Sequence, residues 1–247
     1  EFPLKRVAKT PFLKEIVEQE HNQSVEVITP GLARTVFYPG QQDEHTGRIR
    51  IAAMLRTGTP RRGGRELLEV LANSIKVAPE LDITLFGDTT GLPNSLSGRV
   101  NLLGKLNQIE VGKLYRNCDI CIDLSHFHGF GRMGIESMAS GAVPILSRSG
   151  GVDVYAQDGF NCLMSEPFDT QTPYEQLLEL IFNRDLRLKL RSNGLQSLKK
   201  FSEISATDDW MKLWGIERRT GGEVLDVIRD YLVGGEVERE LKADITG

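Results

Sequence analysis

Short apolar runs alternate with longer stretches of helical spacing over most of this chain. The apolar runs have the length of buried strands and lie at residues 49–55, 81–86, 100–103, 120–124, 143–146 and 162–164. Helical spacing of apolar positions is found at residues 66–75, 109–115, 135–140, 173–182, 186–201 and 206–214. Strands that alternate with helices predict a parallel sheet with helices on both faces. In such sheets, ligands bind beyond the C-terminal ends of the strands.

The two ends of the chain show a different pattern. Residues 11–20 predict a helix and residues 25–28 a short strand. Residues 32–47 have no clear periodicity, and the polar run at 41–45 is the best linker candidate. Residues 220–235 predict a further helix. These segments therefore flank the alternating region and do not extend it.

The stretch from Ile120 to Leu146 is the centre of the alternating region. A predicted strand is followed by Gly129, Gly131 and Gly134, which permit a tight turn, and then by the start of a helix. Free N–H groups at a helix start favour bound anions. This glycine turn is therefore a candidate phosphate or nucleotide site.

The same glycines form a G-x-G-x-x-G pattern, which is the dinucleotide-binding fingerprint. Arg148, after the next predicted strand, stands where a residue that binds a 2′-phosphate would lie. However, the fingerprint normally opens the first βαβ unit, and here several predicted strands precede it. No acidic residue ends the strand at 143–146 either. Nicotinamide binding is therefore the weaker interpretation of the turn.

A second candidate feature is the loop after the first regular strand. Arg56, Arg61 and Arg62 lie in it among three glycines. Guanidinium groups bind phosphate oxygens in a fork geometry, although a solvated basic loop is the simpler interpretation of these arginines alone. Both loops follow strands of one predicted parallel sheet, so they should meet at the same edge. This arrangement favours a shared diphosphate site.

Other residues near the turn have alternative interpretations. Glu136 is either a helix-dipole acid or an acceptor for ribose or sugar hydroxyls. His126 and His128 alternate along an extended segment, so their side chains should point in opposite directions and not converge on a metal. Cys118 and Cys121 form a CxxC pair at a helix–strand junction, where buried thiols are more common than redox or zinc chemistry.

Composition narrows the classes of function. The formal net charge of −4 argues against a general nucleic-acid binder, which would show a basic excess. No apolar run is long enough for a membrane span, and three cysteines provide no disulfide framework. No secretory signal peptide is visible, so the cytoplasm is the expected location.

Several motifs together resemble the C-terminal half of a GT-B-fold glycosyltransferase of family 4. Arg56 and Arg61 resemble the arginine and lysine of that family's GR…KG loop. Residues 104–125 resemble its G…L..LY..AD…PS segment. The resemblance covers roughly residues 6–214.

The most specific motif is HGFGRMGIESMASGAVP at residues 128–144, which resembles the family signature EGFG…EAMAxGxP. Two glutamates separated by seven residues belong to that signature. Glu136 matches the second glutamate, whereas His128 replaces the first. This replacement bears on how the donor sugar is held.

The resemblance implies a Rossmann-like parallel sheet sandwiched by helices, the C-terminal domain of a GT-B fold, with extra C-terminal helices. It implies that residues 1–40 are the end of an N-terminal domain and a hinge. Residues 41–219 would be the nucleotide-sugar-binding domain, and residues 220–247 a C-terminal helical extension.

The resemblance also implies roles for single residues. Arg56 and Arg61 would grip the donor diphosphate, and Glu136 would hold the ribose, which makes these three the catalytic residues. Backbone N–H groups of the turn would bind sugar and phosphate. The implied donor-binding residues are Arg62, Lys105, Leu106, Leu114, His128, Gly129, Phe130, Gly131, Arg132 and Met133.

The activity implied by the resemblance is glycosyl transfer with retention of anomeric configuration. A nucleotide-sugar donor would react with a glycan or lipid-linked acceptor in polysaccharide biosynthesis, without a cofactor or metal, because arginines stabilise the leaving diphosphate. Peripheral association with the inner face of the cytoplasmic membrane is a further expectation.

The first residues, Glu-Phe-Pro-Leu-Lys, suggest a chain without most of the N-terminal, acceptor-binding half. Such a chain should bind nucleotide weakly and transfer nothing alone. Two alternatives stay open: a nucleotide-sugar epimerase of the same architecture, and a non-catalytic sugar-nucleotide-binding domain of a polysaccharide assembly protein.

Overall fold

The computed structural model describes residues 4–40, 48–88 and 90–216. The predicted helix at 220–235 and the linker candidate at 41–45 lie outside these residues. The chain divides into two compact units, Glu1–Ala206 and Thr207–Gly247. The domain boundaries implied by the resemblance stay predictions.

The described residues contain two parallel sheets. The strands, numbered in chain order, are β1 Val7–Ala8, β2 Glu26–Val27, β3 Arg50–Arg56, β4 Asp82–Asp88, β5 Asn101–Leu102, β6 Ile120–Asp123, β7 Val143–Ser147 and β8 Leu163–Ser165. Strands β1 and β2 pair with each other, and the other six form one sheet in the order β5-β4-β3-β6-β7-β8. All of these pairings are parallel.

Helices follow most strands. The α-helices are α1 Pro11–His21, α2 Gly64–Val77, α3 Gln108–Arg116, α4 Arg132–Ala139, α5 Gln171–Phe182, α6 Arg184–Ser197 and α7 Glu203–Trp214. Short 3₁₀ turns lie at Pro60–Arg62, Gly151–Val154 and Leu198–Lys200. No helix in the described part of the chain is long and apolar enough to cross a membrane. The predicted fold class, a parallel sheet sandwiched by helices, is confirmed.

The predicted elements differ from the structure mainly at their ends. The stretch predicted as one helix at 186–201 ends as an α-helix at Ser197 and continues as a 3₁₀ turn. The strand predicted at 100–103 has only two residues, both exposed, because β5 is the edge of the sheet. Periodicity locates these elements, but pairing partners decide where they stop.

Side-chain alternation along β3 decides which helix packs on which face of the sheet. Ile51, Ala53 and Leu55 join one apolar cluster with residues of α2. Ala52 joins the other cluster, which contains residues of α3 and α4. All four side chains are fully buried. The helices that follow β3 and β6 therefore lie on opposite faces, and the crevice between these two strands is the topological switch point of the sheet.

Candidate functional site

The two loops singled out from the sequence both leave the C-terminal ends of strands at the switch point. The arginine loop, residues 56–63, begins at the last residue of β3, and the glycine turn, residues 124–131, follows β6. The main-chain N–H of His126 donates to the carbonyl of Arg61 at 2.8 Å. Gly63 has a left-handed φ of 62° and lies so close to the carbonyl of Leu124 that a Cβ would collide with it. The two loops are thus in direct contact.

The glycine turn presents a row of free main-chain donors. The amides of Gly129, Phe130, Gly131, Arg132 and Met133 have no hydrogen-bond acceptor among the residues that the structure describes. These amides lie just before α4 and in its first two residues, so the positive end of the helix dipole adds to the partial positive charge of their N–H groups. Successive N–H groups at such a turn form an anion-binding concavity.

Close packing holds this turn in place. Gly131 adopts a left-handed φ of 77°, and its carbonyl accepts a hydrogen bond from the Tyr155 hydroxyl. Gly134 lies against the same tyrosine, and a Cβ there would be 2.9 Å from Cδ1 of Leu146. The second and third glycines of the motif are therefore required by backbone conformation and by helix–strand packing.

The three arginines of the loop differ in their surroundings. Arg56 and Arg61 are exposed, whereas Arg62 is half-buried and its Nε atom has no hydrogen-bond partner among the described residues. None of the three forms an ion pair with a described residue. Their charges are therefore not neutralised by carboxylates of the described chain.

Glu136 is the fifth of the eight residues of α4, beyond its first turn, and is 9% exposed. Its Oε1 accepts a hydrogen bond from Nε of Arg132 at 2.8 Å. Burial raises the pKa of this carboxyl above its usual value, and the hydrogen bond to Arg132 only partly offsets that effect. The carboxylate is a costly charge that hydroxyl donors of a ligand would stabilise.

His128 is 2% exposed, and its Nε2 has no hydrogen-bond partner in the described structure. Its Nδ1 lies 3.9 Å from Oδ2 of Asp123, the last residue of β6. The main chain of His128 is bonded to the segment that follows β7, since its N–H donates to the carbonyl of Ser149 at 3.0 Å. A polar ring atom is therefore buried without a partner among the described residues, at the position where the family signature has glutamate.

His126 contacts a different set of residues. Its Nε2 lies 3.2 Å from Oε2 of Glu66 on α2, and its ring stacks on Phe168 with 3.8 Å between ring centroids. The two histidines thus contact different residues, as their alternation predicted. Within the described residues, no group of three or more histidine, cysteine or acidic side chains could hold a metal.

Beside His126, a cavity of about 660 Å³ lies between α2 and the loop after β4. Its walls include Arg56, Arg65, Glu66 and Glu69. Both guanidinium and carboxylate groups line it, so its charges do not select one class of ligand.

The remaining candidate donor residues lie after β5 and on α3. Lys105 is exposed, while Leu106 and Leu114 are partly buried against the apolar cluster that also contains α4. Leu106 and Leu114 thus belong to the same face of the sheet as Glu136, whose helix contributes Met133 to that cluster.

Two further sequence hypotheses meet different outcomes. Arg148, considered as a reader of a 2′-phosphate, is held by Asp158 and Glu166 at 3.3 and 3.6 Å, so its charge is already paired. Cys118 and Cys121 are buried free thiols. The pKa of Cys118 is raised to about 12 by burial.

Sequence reasoning missed the residues that hold the turn from outside it. Thr10 donates to the carbonyl of Gly129, and Tyr155 donates to that of Gly131. Neither residue lies in the motif. The only local signal was the Thr10-Pro11 pair, a typical helix start, which predicts α1 but not its contact with the turn.

Comparison with known proteins adds an independent observation. A model of the family described as "Glycosyl transferases group 1" matches residues 41–197. An uncharacterized glycosyltransferase of Methanocaldococcus jannaschii is 27% identical over 206 residues, which cover 80% of this chain and 55% of the relative. A D-inositol 3-phosphate glycosyltransferase of Corynebacterium kroppenstedtii is 25% identical, and the match covers 46% of that protein. The chain thus spans about half the length of these curated relatives.

Solved structures share the fold. The C-terminal domain of a group 1 glycosyl transferase from Francisella tularensis superposes with a TM-score of 0.60 and 24% identity, over 70% of this chain and 100% of that domain. The Anabaena protein HepE in complex with UDP-glucose gives a TM-score of 0.73 with 18% identity, over 85% of this chain and 63% of that protein. At these identities, the likeness concerns the fold alone.

Proposed function

The chain belongs to the glycosyl transferases of group 1, and from that premise we propose that it is the nucleotide-sugar-binding half of a retaining glycosyltransferase. The observation that carries this proposal is the row of five amides from Gly129 to Met133, which have no acceptor among the described residues. It lies beside a loop whose three arginines form no ion pair with a described residue. Amide donors and guanidinium groups together are suited to the oxygens of a diphosphate.

In this proposal, the leaving nucleoside diphosphate lies in the crevice between β3 and β6. Arg56 and Arg62 stabilise the negative charge that develops on the diphosphate as the glycosidic bond breaks. We prefer Arg62 to Arg61 for this role because Arg62 is half-buried and its Nε has no partner among the described residues, whereas Arg61 is exposed. A half-buried guanidinium nitrogen without a partner gains more from a bound anion than an exposed one.

In this proposal, Glu136 accepts hydrogen bonds from the hydroxyl groups of the ribose, and His128 contacts the donor sugar. Leu106 and Leu114 supply an apolar wall for the base, with Lys105 beside it. The acceptor, a glycan or a lipid-linked sugar, binds mainly to the half of the enzyme that this chain does not contain. A further relative, from Myxococcus xanthus and 25% identical over 208 residues, is named an O-antigen biosynthesis protein. A surface polysaccharide is therefore the first acceptor class to test.

Calorimetric titration of the 247-residue chain tests the site. UDP, GDP, ADP and dTDP sugars are compared, with UDP-glucose first because HepE was solved with it. We expect one nucleoside diphosphate series to bind at least about tenfold more tightly than the matching monophosphate, since the second phosphate adds charge-assisted hydrogen bonds. The Arg56→Ala, Glu136→Ala double variant should lose this preference. Equal binding of the mono- and diphosphate, or binding unchanged in the double variant, would contradict the proposal.

Product analysis on the whole enzyme tests the reaction class. Transfer of the sugar with retained anomeric configuration is expected by NMR of the product. Conversion of the nucleotide sugar without acceptor would instead indicate an epimerase, and nucleotide binding without any turnover would indicate a non-catalytic binding domain.

A further inference from the structure

Helix α1 begins directly on the glycine turn. Thr10, its N-cap residue, is fully buried. The hydroxyl of Thr10 accepts the N–H of Leu13 at 3.2 Å and donates to the carbonyl of Gly129 at 3.2 Å. A threonine hydroxyl has one proton, so that proton is committed to Gly129. One side chain thus both caps α1 and binds the main chain of the turn.

The contact with Thr10 fixes the plane of the Gly129–Phe130 peptide. In a trans peptide, the C=O and N–H bonds point in opposite directions. When the carbonyl of Gly129 points to Thr10, the N–H of Phe130 points away from it. Gly151 also packs against this peptide, because a Cβ at Gly151 would collide with the carbonyl of Gly129 and lie 2.7 Å from the Phe130 nitrogen.

The orientation matters because the Phe130 amide is the second of the five amides in this row. If this peptide rotated by half a turn, a carbonyl oxygen would replace the N–H among the five donors. An oxygen there would repel the oxygens of a diphosphate. The strength of the local positive field therefore depends in part on which way this peptide faces.

Apolar packing places Thr10 over Gly129. The ring of Phe12 fills the space in which a Cβ of Gly150 would lie, and it is 5.8 Å from the ring of Phe127. Cδ1 of Leu13 would be 3.5 Å from a Cβ at Gly129. Side chains of α1 therefore contact both the glycine turn and the segment after β7. These contacts keep the Thr10 hydroxyl beside the carbonyl of Gly129.

We propose that Thr10 is a positioning residue for the donor diphosphate. Its hydroxyl holds the Gly129–Phe130 peptide so that the Phe130 N–H joins the row of amides that binds the anion. This inference rests on the proposed function, since it takes the nucleoside diphosphate as the ligand. It extends the site to a residue that lies far outside the sequence motif.

Three variants test the inference. Thr10→Val keeps the branched shape but has no hydroxyl, and Thr10→Ser keeps the hydroxyl. Glu18→Ala is the matched control, because it removes the hydrogen bond from the Val25 N–H to Glu18 Oε1 at 2.9 Å on the same helix without touching the turn. UDP, GDP, ADP and dTDP are titrated into the wild-type chain, and the tightest of them into each variant, with thermal unfolding measured in parallel.

We expect Thr10→Val to weaken diphosphate binding about tenfold, Thr10→Ser to stay within about threefold, and Glu18→Ala to lower the melting temperature without a change in Kd. A Thr10→Val protein that is less stable but binds equally well would show a merely structural role and overturn the inference. So would a Thr10→Ser variant as impaired as Thr10→Val. If Thr10→Val does not fold, the comparison of Thr10→Ser with Thr10→Ala replaces it. A wild-type chain that binds none of the four nucleotides would instead overturn the proposed function, and this inference with it.

Discussion

The Nε atom of Arg132 lies 2.8 Å from Oε1 of Glu136, one helical turn further along α4. The arginine side chain is 53% exposed and the glutamate side chain 12%. The cation is thus at the surface and the carboxylate is inside. The net effect is a pKa of Glu136 above its usual value, because burial outweighs the contact with Arg132.

The raised pKa makes stability depend on pH in a defined direction. The unfolded chain ionises Glu136 at its ordinary pKa of 4.5, below the folded value, so stability from this residue is lost as pH rises through that window. We expect Glu136→Gln to raise the melting temperature near neutral pH by about 2 °C, and this gain to shrink as pH falls towards 4.5. Thermal unfolding of both proteins between about pH 4 and about pH 8 measures this difference in melting temperature. A gain that is the same at every pH would show that ionisation is not its cause.

The different burial of the neighbouring arginines predicts different effects on binding. Arg62→Gln should weaken nucleoside diphosphate binding by about tenfold to a hundredfold, because a half-buried charge-assisted hydrogen bond is lost. Arg61→Gln, the matched control, should change Kd by less than about threefold, since that side chain is exposed. Calorimetry gives both values. A larger effect of Arg61→Gln would reverse the assignment.

His128 is expected to affect the sugar and not the nucleotide. His128→Leu removes the buried Nε2 that lacks a partner among the described residues. We expect the affinity for the nucleotide sugar to fall by about tenfold, while the affinity for the free nucleotide stays nearly constant. His126→Leu serves as the control, because that ring contacts Glu66 and Phe168 instead. Equal losses for nucleotide and nucleotide sugar would place His128 outside the sugar pocket.

Gly134 is expected to be intolerant of any side chain. A Cβ would meet the Tyr155 hydroxyl and Leu146 Cδ1, the latter at 2.9 Å, so Gly134→Ala should destabilise the protein by about 1–3 kcal/mol despite better helix propensity. Gly129→Ala should cost less than about 0.5 kcal/mol, since its nearest neighbour, Leu13 Cδ1, would be at 3.5 Å. Urea unfolding compares the two. Similar costs would show that packing against Tyr155 is not the constraint.

The three cysteines are expected to be unreactive in the native protein. Burial raises the pKa of Cys118 and of Cys162 to about 12, and it also raises the pKa of Cys121. Thiols with such pKa values stay protonated near pH 8 and react slowly with disulfide reagents. Ellman's reagent should detect none of them before unfolding and all three afterwards. Rapid reaction of a folded sample would mean that a thiol becomes exposed in solution.

Much of the fold followed from the sequence because its causes are local. Apolar runs of strand length and helical spacing located β3, β4, β6, β7 and the helices between them. Gly131 needed its left-handed backbone whatever its neighbours were, so the turn could be predicted from the motif alone. Glu136 and the arginine loop were singled out in the same way, from their places relative to strands, and their roles stay predictions.

Only the tertiary structure decided how these pieces meet. Thr10 and Gly129 are 119 residues apart, and nothing near either of them in the sequence predicts that one hydroxyl orients the other's peptide. The contrast between Arg61 and Arg62 likewise depends on what packs around the loop, not on spacing. The sequence determined which groups carry charge and which peptides can turn; burial and long-range contacts decided which of those groups are free to bind, because desolvation and hydrogen-bond pairing are properties of the assembled surroundings.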